Sequence, residues 1–233
     1  MPAGPFDVTL ILVKPSARTL VEVLRHAKAC SRGAWDGSDE SRPLADTGWV
    51  QTKHLVEAFA PLPVAAIYAS PATRCVQTVD ALAGVLGLPL HRDARLAGLR
   101  SPSVTDAGSP WPAIAWLGAR ALSLVNDAVA AHRGQRMIVC SHGDVLAALL
   151  ASVAGRDDLP LTDVSLKKGE RITLSFDPDG VCVGAQRVPP LPRHMQSFAQ
   201  VSPNGQRGLN GHVRGLAYPG RAGESIVRGQ ALQ

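Results

Sequence analysis

Apolar residues in this chain gather in short runs that alternate with stretches of helical period. Runs with strand character stand at 19–24 (TLVEVL), 64–68 (VAAIY), 88–91 (LPLH), 136–140 (RMIVC), 171–176 (RITLSF) and 181–185 (VCVGA). Short runs bounded by turn-forming residues are the mark of strands. Between them Thr52, Leu55, Val56 and Phe59 fall on one helical face, with Asp46 and Thr47 available as N-cap. Cys75, Val79, Leu82 and Leu86 mark a second helix, and Gly87 stands where a helix end calls for positive φ. Ile114, Leu117, Ala121 and Leu124 mark a third, closed by Gly134. The segment DVLAALLASVAG at 144–155 is apolar nearly all round, as a buried helix is. DPDG at 177–180 joins the last two strands as a hairpin turn.

Strands alternating with helices predict an α/β fold, a three-layer α/β/α sandwich around a mainly parallel sheet. The apolar run VTLILV at 8–13 is too short for a membrane span or a signal-peptide core, and an added edge strand is its natural reading. The segment GLRSPSVTDAGSP at 98–110 is a loop by composition, a candidate lid or substrate loop. From about Pro189 the chain turns rich in Pro, Gly, Arg and Gln, with no apolar period. Residues 1–190 are therefore expected to form the domain and 191–233 a disordered basic tail.

Charge alters this picture less than its total suggests. The 233 residues carry a net charge of +5 and are 45% apolar and 18% charged, values of a globular chain with a real core. Five arginines beyond Pro192 (193, 207, 214, 221 and 228) face Glu224 alone, so +4 of that +5 lies in the tail. The body is nearly neutral, which argues against a general nucleic-acid surface. Cys30, Cys75, Cys140 and Cys182 are widely spaced, with no C-x-x-C pair to suggest a zinc knuckle or a redox motif. Free thiols in a reducing cytoplasm are the simplest reading.

In parallel sheets ligands bind outside the carboxyl ends of the strands. After the first strand comes Arg25-His26. The second is followed by ASPATRCVQT (69–78), which puts Arg74 in the first turn of its helix, and the fourth by CSHGDVLAALL (140–150), which puts His142 at the start of the next. Two helix N-termini point at the same edge and add oriented N–H groups. The combination makes a pocket for a dianion. Phosphoryl transfer is mostly positioning and charge neutralisation, and an arginine fork holds two equatorial oxygens at once. A histidine nitrogen is nucleophilic near neutral pH, so in-line attack by His26 would form a phosphohistidine that water then hydrolyses, with His142 as a further donor.

In this order, LRHAK (24–28), SPATR-C-QT (70–78) and SHGDVL (141–146) resemble the histidine phosphatase superfamily, the phosphoglycerate-mutase-like fold. With Arg-His-Ala at its opening and RPLADTG at 42–48, the chain is most similar to the small branch that includes SixA-type phosphohistidine phosphatases. RHAKACSRGAWDG (25–37) is similar to the phosphatase half of certain fused Nudix proteins. The resemblance spans roughly residues 19–185. It implies His26 as nucleophile, with Arg25, Arg74 and His142 completing the phosphate pocket, and it implies no metal or other cofactor. Many relatives carry a carboxylate beyond the third strand as proton donor to the leaving oxygen. Here the stretch reads RDARLAGLR, the expected place falls near Gly98, and the spacing supports neither Asp93 nor Asp106. Such a gap suits an easily departing leaving group and argues against a sugar-phosphate specialist or a mutase.

Other residues admit two readings each. Lys28, Arg32 and Arg42 are either ligands for the substrate or solvated surface cations, and Lys28 and Arg42 are the candidates for substrate binding. Trp35 either stacks on a base or anchors its own loop. Cys75 and Cys140 beside the catalytic elements read better as buried small hydrophobes than as a redox switch. His54, His91 and His132 belong to no motif. The sequence thus predicts a cytoplasmic, metal-independent phosphatase whose partner is a phosphoprotein or a small phosphorylated metabolite or nucleotide, with no membrane involved. The rival is a phosphate- or phosphoprotein-binding module of the same fold, motivated by the missing acid.

Overall fold

Val21, Val23 and Leu24 are buried because β1 (Thr19–Arg25) runs through the interior of a sheet. The computed structural model describes residues 17–98 and 111–189. In chain order they form β1, α1 (Asp46–Phe59), β2 (Val64–Ala69), α2 (Thr73–Leu86), β3 (Leu90–Arg92), α3 (Trp111–Ala131), β4 (Arg136–Ser141), α4 (Gly143–Asp157), β5 (Arg171–Phe176) and β6 (Cys182–Val188). The sheet order is β3-β2-β4-β1-β5-β6. The first four of these neighbours pair in parallel, and β5 runs antiparallel to both β1 and β6. The DPDG hairpin joins β5 to β6 with Asp177 Oδ1 accepting from the N–H groups of Asp179 and Val181.

Side chains alternate across the strands, so one face of the sheet presents Val21, Val23, Met137, Val139, Ile172 and Leu174 to α3 and α4. The other presents Leu24, Ile67, Ala69, Ile138 and Cys140 to α1 and α2. This is the expected three-layer sandwich around a mainly parallel sheet. Glu22 is the exception to the apolar interior. Its carboxylate is enclosed by Arg136, by Arg171 at 3.3 Å and by the Thr173 hydroxyl at 2.8 Å, so its charge is matched inside the sheet.

Several boundaries differ from expectation for local reasons. Ala45, not Asp46 or Thr47, precedes α1 as its cap, and Asp46 sits inside the first turn, where its charge complements the helix dipole. The third strand begins at Leu90 rather than 88. Gly87 ends α2 at φ 66°, and the Leu88 N–H is already bound to the Ala83 carbonyl in the helix cap. On α3, Leu117, Ala121 and Leu124 are buried as expected, but Ile114 faces out and Ala113 takes the inward place. The buried helix α4 runs two residues past 155 and closes at Asp158, φ 53°. The 8–13 run, the 99–110 part of the candidate lid with Asp106, and the 191–233 tail lie outside the described residues. Among the described residues no helix is long and apolar enough to cross a membrane.

Candidate active site

β2, β4 and β1 are neighbours in the sheet, so three segments leave their carboxyl ends side by side. Arg25 closes β1 and His26 follows. Ser70 follows β2, Arg74 lies in the first turn of α2, and His142 stands between β4 and α4. Arg25, His26, Arg74 and His142 line one open cavity of about 560 Å³ with Arg32, Arg42, Asp39, Asp144 and Lys168. The residues singled out from three distant stretches of sequence are brought together.

His26 is 5% exposed. Its Nδ1 lies 2.8 Å from the Ala27 carbonyl oxygen, which can only accept, so Nδ1 carries the proton and Nε2 keeps its lone pair. Burial lowers its pKa most. The Ala27 carbonyl works the other way, the charges of His142, Arg74 and Arg25 add to the lowering, and the result is about 3. The ring is therefore neutral, with a free nucleophilic nitrogen, across the physiological range.

His142 packs edge-on to His26, ring centroids 5.6 Å apart. Its Nδ1 accepts from Arg74 Nη2 at 3.0 Å, and its Nε2–H donates to Ser70 Oγ at 2.8 Å. Both nitrogens are thus engaged by protein groups, and donation to a phosphoryl oxygen requires exchanging one of these bonds. The Cys75 sulfur lies 3.7 Å from Nε2 of the same ring and is fully buried, as expected of it.

Arg25 is held by the loop before β5. Its Nη1 donates to the Leu166 carbonyl at 2.5 Å, its own N–H to the Glu170 carbonyl, and its carbonyl accepts from Gly169 N–H. The guanidinium lies against Gly143, where an added Cβ would come within 2.7 Å of Cζ. That close approach is what the glycine after His142 permits. Among the described residues four arginine Nε–H groups are buried without a hydrogen-bond partner, and two of them belong to Arg25 and Arg74. Buried donors of this kind call for an acceptor, and an anion in the cavity would supply one.

Asp39 is a residue that no sequence motif revealed. Its carboxylate accepts from Arg74 Nη2 (3.0 Å), Arg42 Nε (3.0 Å) and Arg32 Nε (3.1 Å), and its carbonyl from Arg74 Nη1. Partial burial opposes its ionisation, but the Arg42 hydrogen bond and the charges of Arg74, Arg42 and Arg32 outweigh it and hold the carboxyl below its ordinary value. Lys168 on the rim was also missed. Burial, then the cations Lys28, Arg25, Arg42 and Arg74, lower its pKa. Among the described residues five cationic side chains line the cavity (Arg25, Arg32, Arg42, Arg74 and Lys168) against the carboxylates of Asp39 and Asp144.

Of the candidate substrate ligands, Arg42 lines the cavity but also braces its wall, with Nη1 on the Cys30 carbonyl at 2.7 Å. Lys28 is exposed and is not among the cavity-lining residues. Its backbone serves instead, the N–H to Gln51 Oε1 and the carbonyl to Ala45 N–H. RPLADTG clamps this segment from outside. Pro43 accepts from Cys30 N–H, and Gly48 lets α1 approach so closely that a Cβ there would fall 2.1 Å from the Lys28 carbonyl oxygen. Trp35 anchors its own loop through Nε1 to the Ser38 carbonyl.

Comparison with known proteins bears on the fold and the family. A model of the histidine phosphatase superfamily (branch 1) matches residues 21–101 and 100–186. The 8-oxo-(d)GTP phosphatase of Mycolicibacterium smegmatis is 27% identical over 177 residues, 76% of this chain and 50% of that protein, so the chain spans about half the length of that relative. Among solved structures, YhfR of Bacillus stearothermophilus superposes with a TM-score of 0.58 at 20% identity, over 70% of this chain and 94% of that one. The protein histidine phosphatase SixA with tungstate gives 0.52 at 18%, over 73% and 97%. Phosphoglycerate mutase of Bacillus anthracis gives 0.54 at 15%, over 75% and 94%.

Proposed function

The chain belongs to the histidine phosphatase superfamily, and from that premise we propose that it is a phosphatase working through a phosphohistidine formed on His26. The observation that carries the mechanism is the fixed tautomer. The Ala27 carbonyl holds the proton on Nδ1, leaving Nε2 unprotonated in a wall of guanidinium groups. Nε2 attacks phosphorus, the bond to the leaving oxygen breaks, and the electron pair departs with that oxygen. Arg25 and Arg74 hold the equatorial oxygens, where charge must be neutralised in the transition state. Water then attacks the phosphohistidine, the P–N bond breaks back to Nε2, and inorganic phosphate leaves. No step calls for a metal ion or other cofactor.

The charge of the cavity favours one of the substrate classes. Among the described residues five cations against two carboxylates leave three positive charges, and a monoester dianion answers two of them. A substrate with a second anionic group uses the surplus, so the preferred class is a small phosphorylated metabolite or nucleotide, such as a nucleoside diphosphate. Similarity to a protein named as an 8-oxo-(d)GTP phosphatase supports the same class. The test is hydrolysis without added metal of an activated aryl phosphate, a nucleoside diphosphate and a phosphohistidine peptide, by wild type and His26→Ala. The expected result is turnover that His26→Ala abolishes, with kcat/KM highest for the diphosphate. Preference for the peptide would overturn the substrate class. Binding of phosphate without turnover of any ester would make the chain a binding module.

A further inference from the structure

Position 98 faces the candidate active site without a side chain. A Cβ built on Gly98 would stand 3.7 Å from the His142 ring and 4.0 Å from Asp144 Oδ2, both ordinary contact distances. The backbone there is outside the left-handed region, since the positive-φ glycines of the described residues are Gly87, Gly134, Gly169 and Gly180. A side chain at 98 would therefore fit and reach the cavity, yet none is present. The carboxylate of Asp144, from the first turn of α4, stands at this place instead.

Resting on the phosphatase reading above, we propose that Asp144 is the proton donor to the leaving oxygen, doing from α4 what a side chain at position 98 would do from the loop after β3. Among the described residues two carboxylates share the cavity lining with His26, namely Asp39 and Asp144. Asp39 is claimed by three guanidinium groups, which keep it ionised and make it a poor acid. Glu40 lines the adjoining part of the cavity, a wall that does not include His26. Asp144 is exposed and makes no hydrogen bond or ion pair among the described residues. When Nε2 of His26 bonds to phosphorus, the departing oxygen takes the O–H proton of Asp144 and leaves as the alcohol. In the second half the Asp144 carboxylate takes a proton from the attacking water, the P–N bond breaks to Nε2, and phosphate and the neutral acid result. The acid is thus missing from the loop after β3 but not from the cavity.

The experiment measures kcat/KM for phosphate esters of rising leaving-group pKa, from p-nitrophenyl through phenyl to glyceryl, with wild type, Asp144→Asn, Glu40→Gln and the double variant Asp144→Asn/Gly98→Glu. Far-UV circular dichroism verifies folding. General acids contribute about 10²–10⁴ in rate where the leaving group is poor. Asp144→Asn is expected to lose about 10²-fold on the glyceryl ester and far less on p-nitrophenyl phosphate, steepening the dependence on leaving-group pKa. Gly98→Glu in that background is expected to restore at least tenfold of the glyceryl loss. Equal losses on all esters, or a leaving-group-dependent loss in Glu40→Gln instead, would overturn the assignment while the phosphatase reading stands. Wild type inert on every ester would remove that reading and this one with it.

Discussion

Two charged clusters lie along β1, three residues apart, and they differ in what they ask for. At Glu22 the carboxylate meets Arg136, Arg171 and Thr173 within the sheet, and its charge is answered by the protein itself. At Arg25 and His26 five cationic side chains of the described residues line an open cavity against two carboxylates, a surplus of three where the Glu22 cluster has a surplus of one. Burial and charge are common to both. The lesson is that imbalance, not charge, marks the site that waits for a ligand.

The sharpest way to break this comparison is to cut each cluster at one residue. Arg74→Ala is expected to lower kcat by about 10²–10³, the range for one donor to a developing oxyanion, with a small change in Tm. Glu22→Ala should do the reverse. Removing one partner of a buried pair costs about 3–5 kcal/mol, so thermal unfolding moves down by several degrees while the folded fraction keeps its kcat. If Glu22→Ala abolished turnover in folded protein, the division into a structural and a functional cluster would fail.

Gly143→Ala comes next in size. The added methyl must displace the Arg25 guanidinium, which lies 2.7 Å from its position. Misplacing a positioning group by about 1 Å can cost on the order of 10² in rate, and a loss of that order in kcat/KM is expected with the fold intact by circular dichroism. Unchanged kinetics would show that Arg25 is not held against position 143.

His26 provides a pH test whose sign follows from burial. Its pKa falls from 6.5 to about 3 on folding. Between those values the unfolded chain binds a proton that the folded chain does not, so stability decreases as pH drops from 6.5 toward 3. His26→Asn should remove that part of the decrease in denaturant titrations. Nitrogen-15 NMR of labelled histidine should find the His26 ring neutral, with the proton on Nδ1, still at pH 5. A ring already protonated at pH 6 would contradict the account.

The smallest effect is expected at Asp39. Asp39→Asn removes a negative charge that three arginines share with any incoming anion, so inorganic phosphate should inhibit several-fold more tightly. Weaker inhibition would mean that Asp39 chiefly orders those arginines rather than competing for them.

Much of this was legible in the sequence because strands announce their ends. Arg25, His26, Arg74 and His142 could be placed together before any coordinates, since each follows a run of β character and parallel strands open their carboxyl ends to one edge. The α2 end was legible for a similar reason, a glycine at the one position that needs positive φ. Asp39 and Lys168 were not legible. They lie on connecting segments with no periodicity, and only the folded path carries Asp39 to Arg74, 35 residues away. Ser70 stood inside a quoted motif, but its bond to His142 depends on β2 and β4 being neighbours, which spacing does not reveal. Lys28 shows the converse, a cation beside the nucleophile whose backbone, not its side chain, is used by the fold.

The most direct test of the central claim is to mix the protein with a phosphorus-32-labelled substrate, quench in alkali, and ask where the label resides. The account predicts an alkali-stable, acid-labile phosphoenzyme in wild type, mapped to the peptide containing His26 and absent from His26→Ala. Turnover without any such label, or label that persists in His26→Ala, would contradict it.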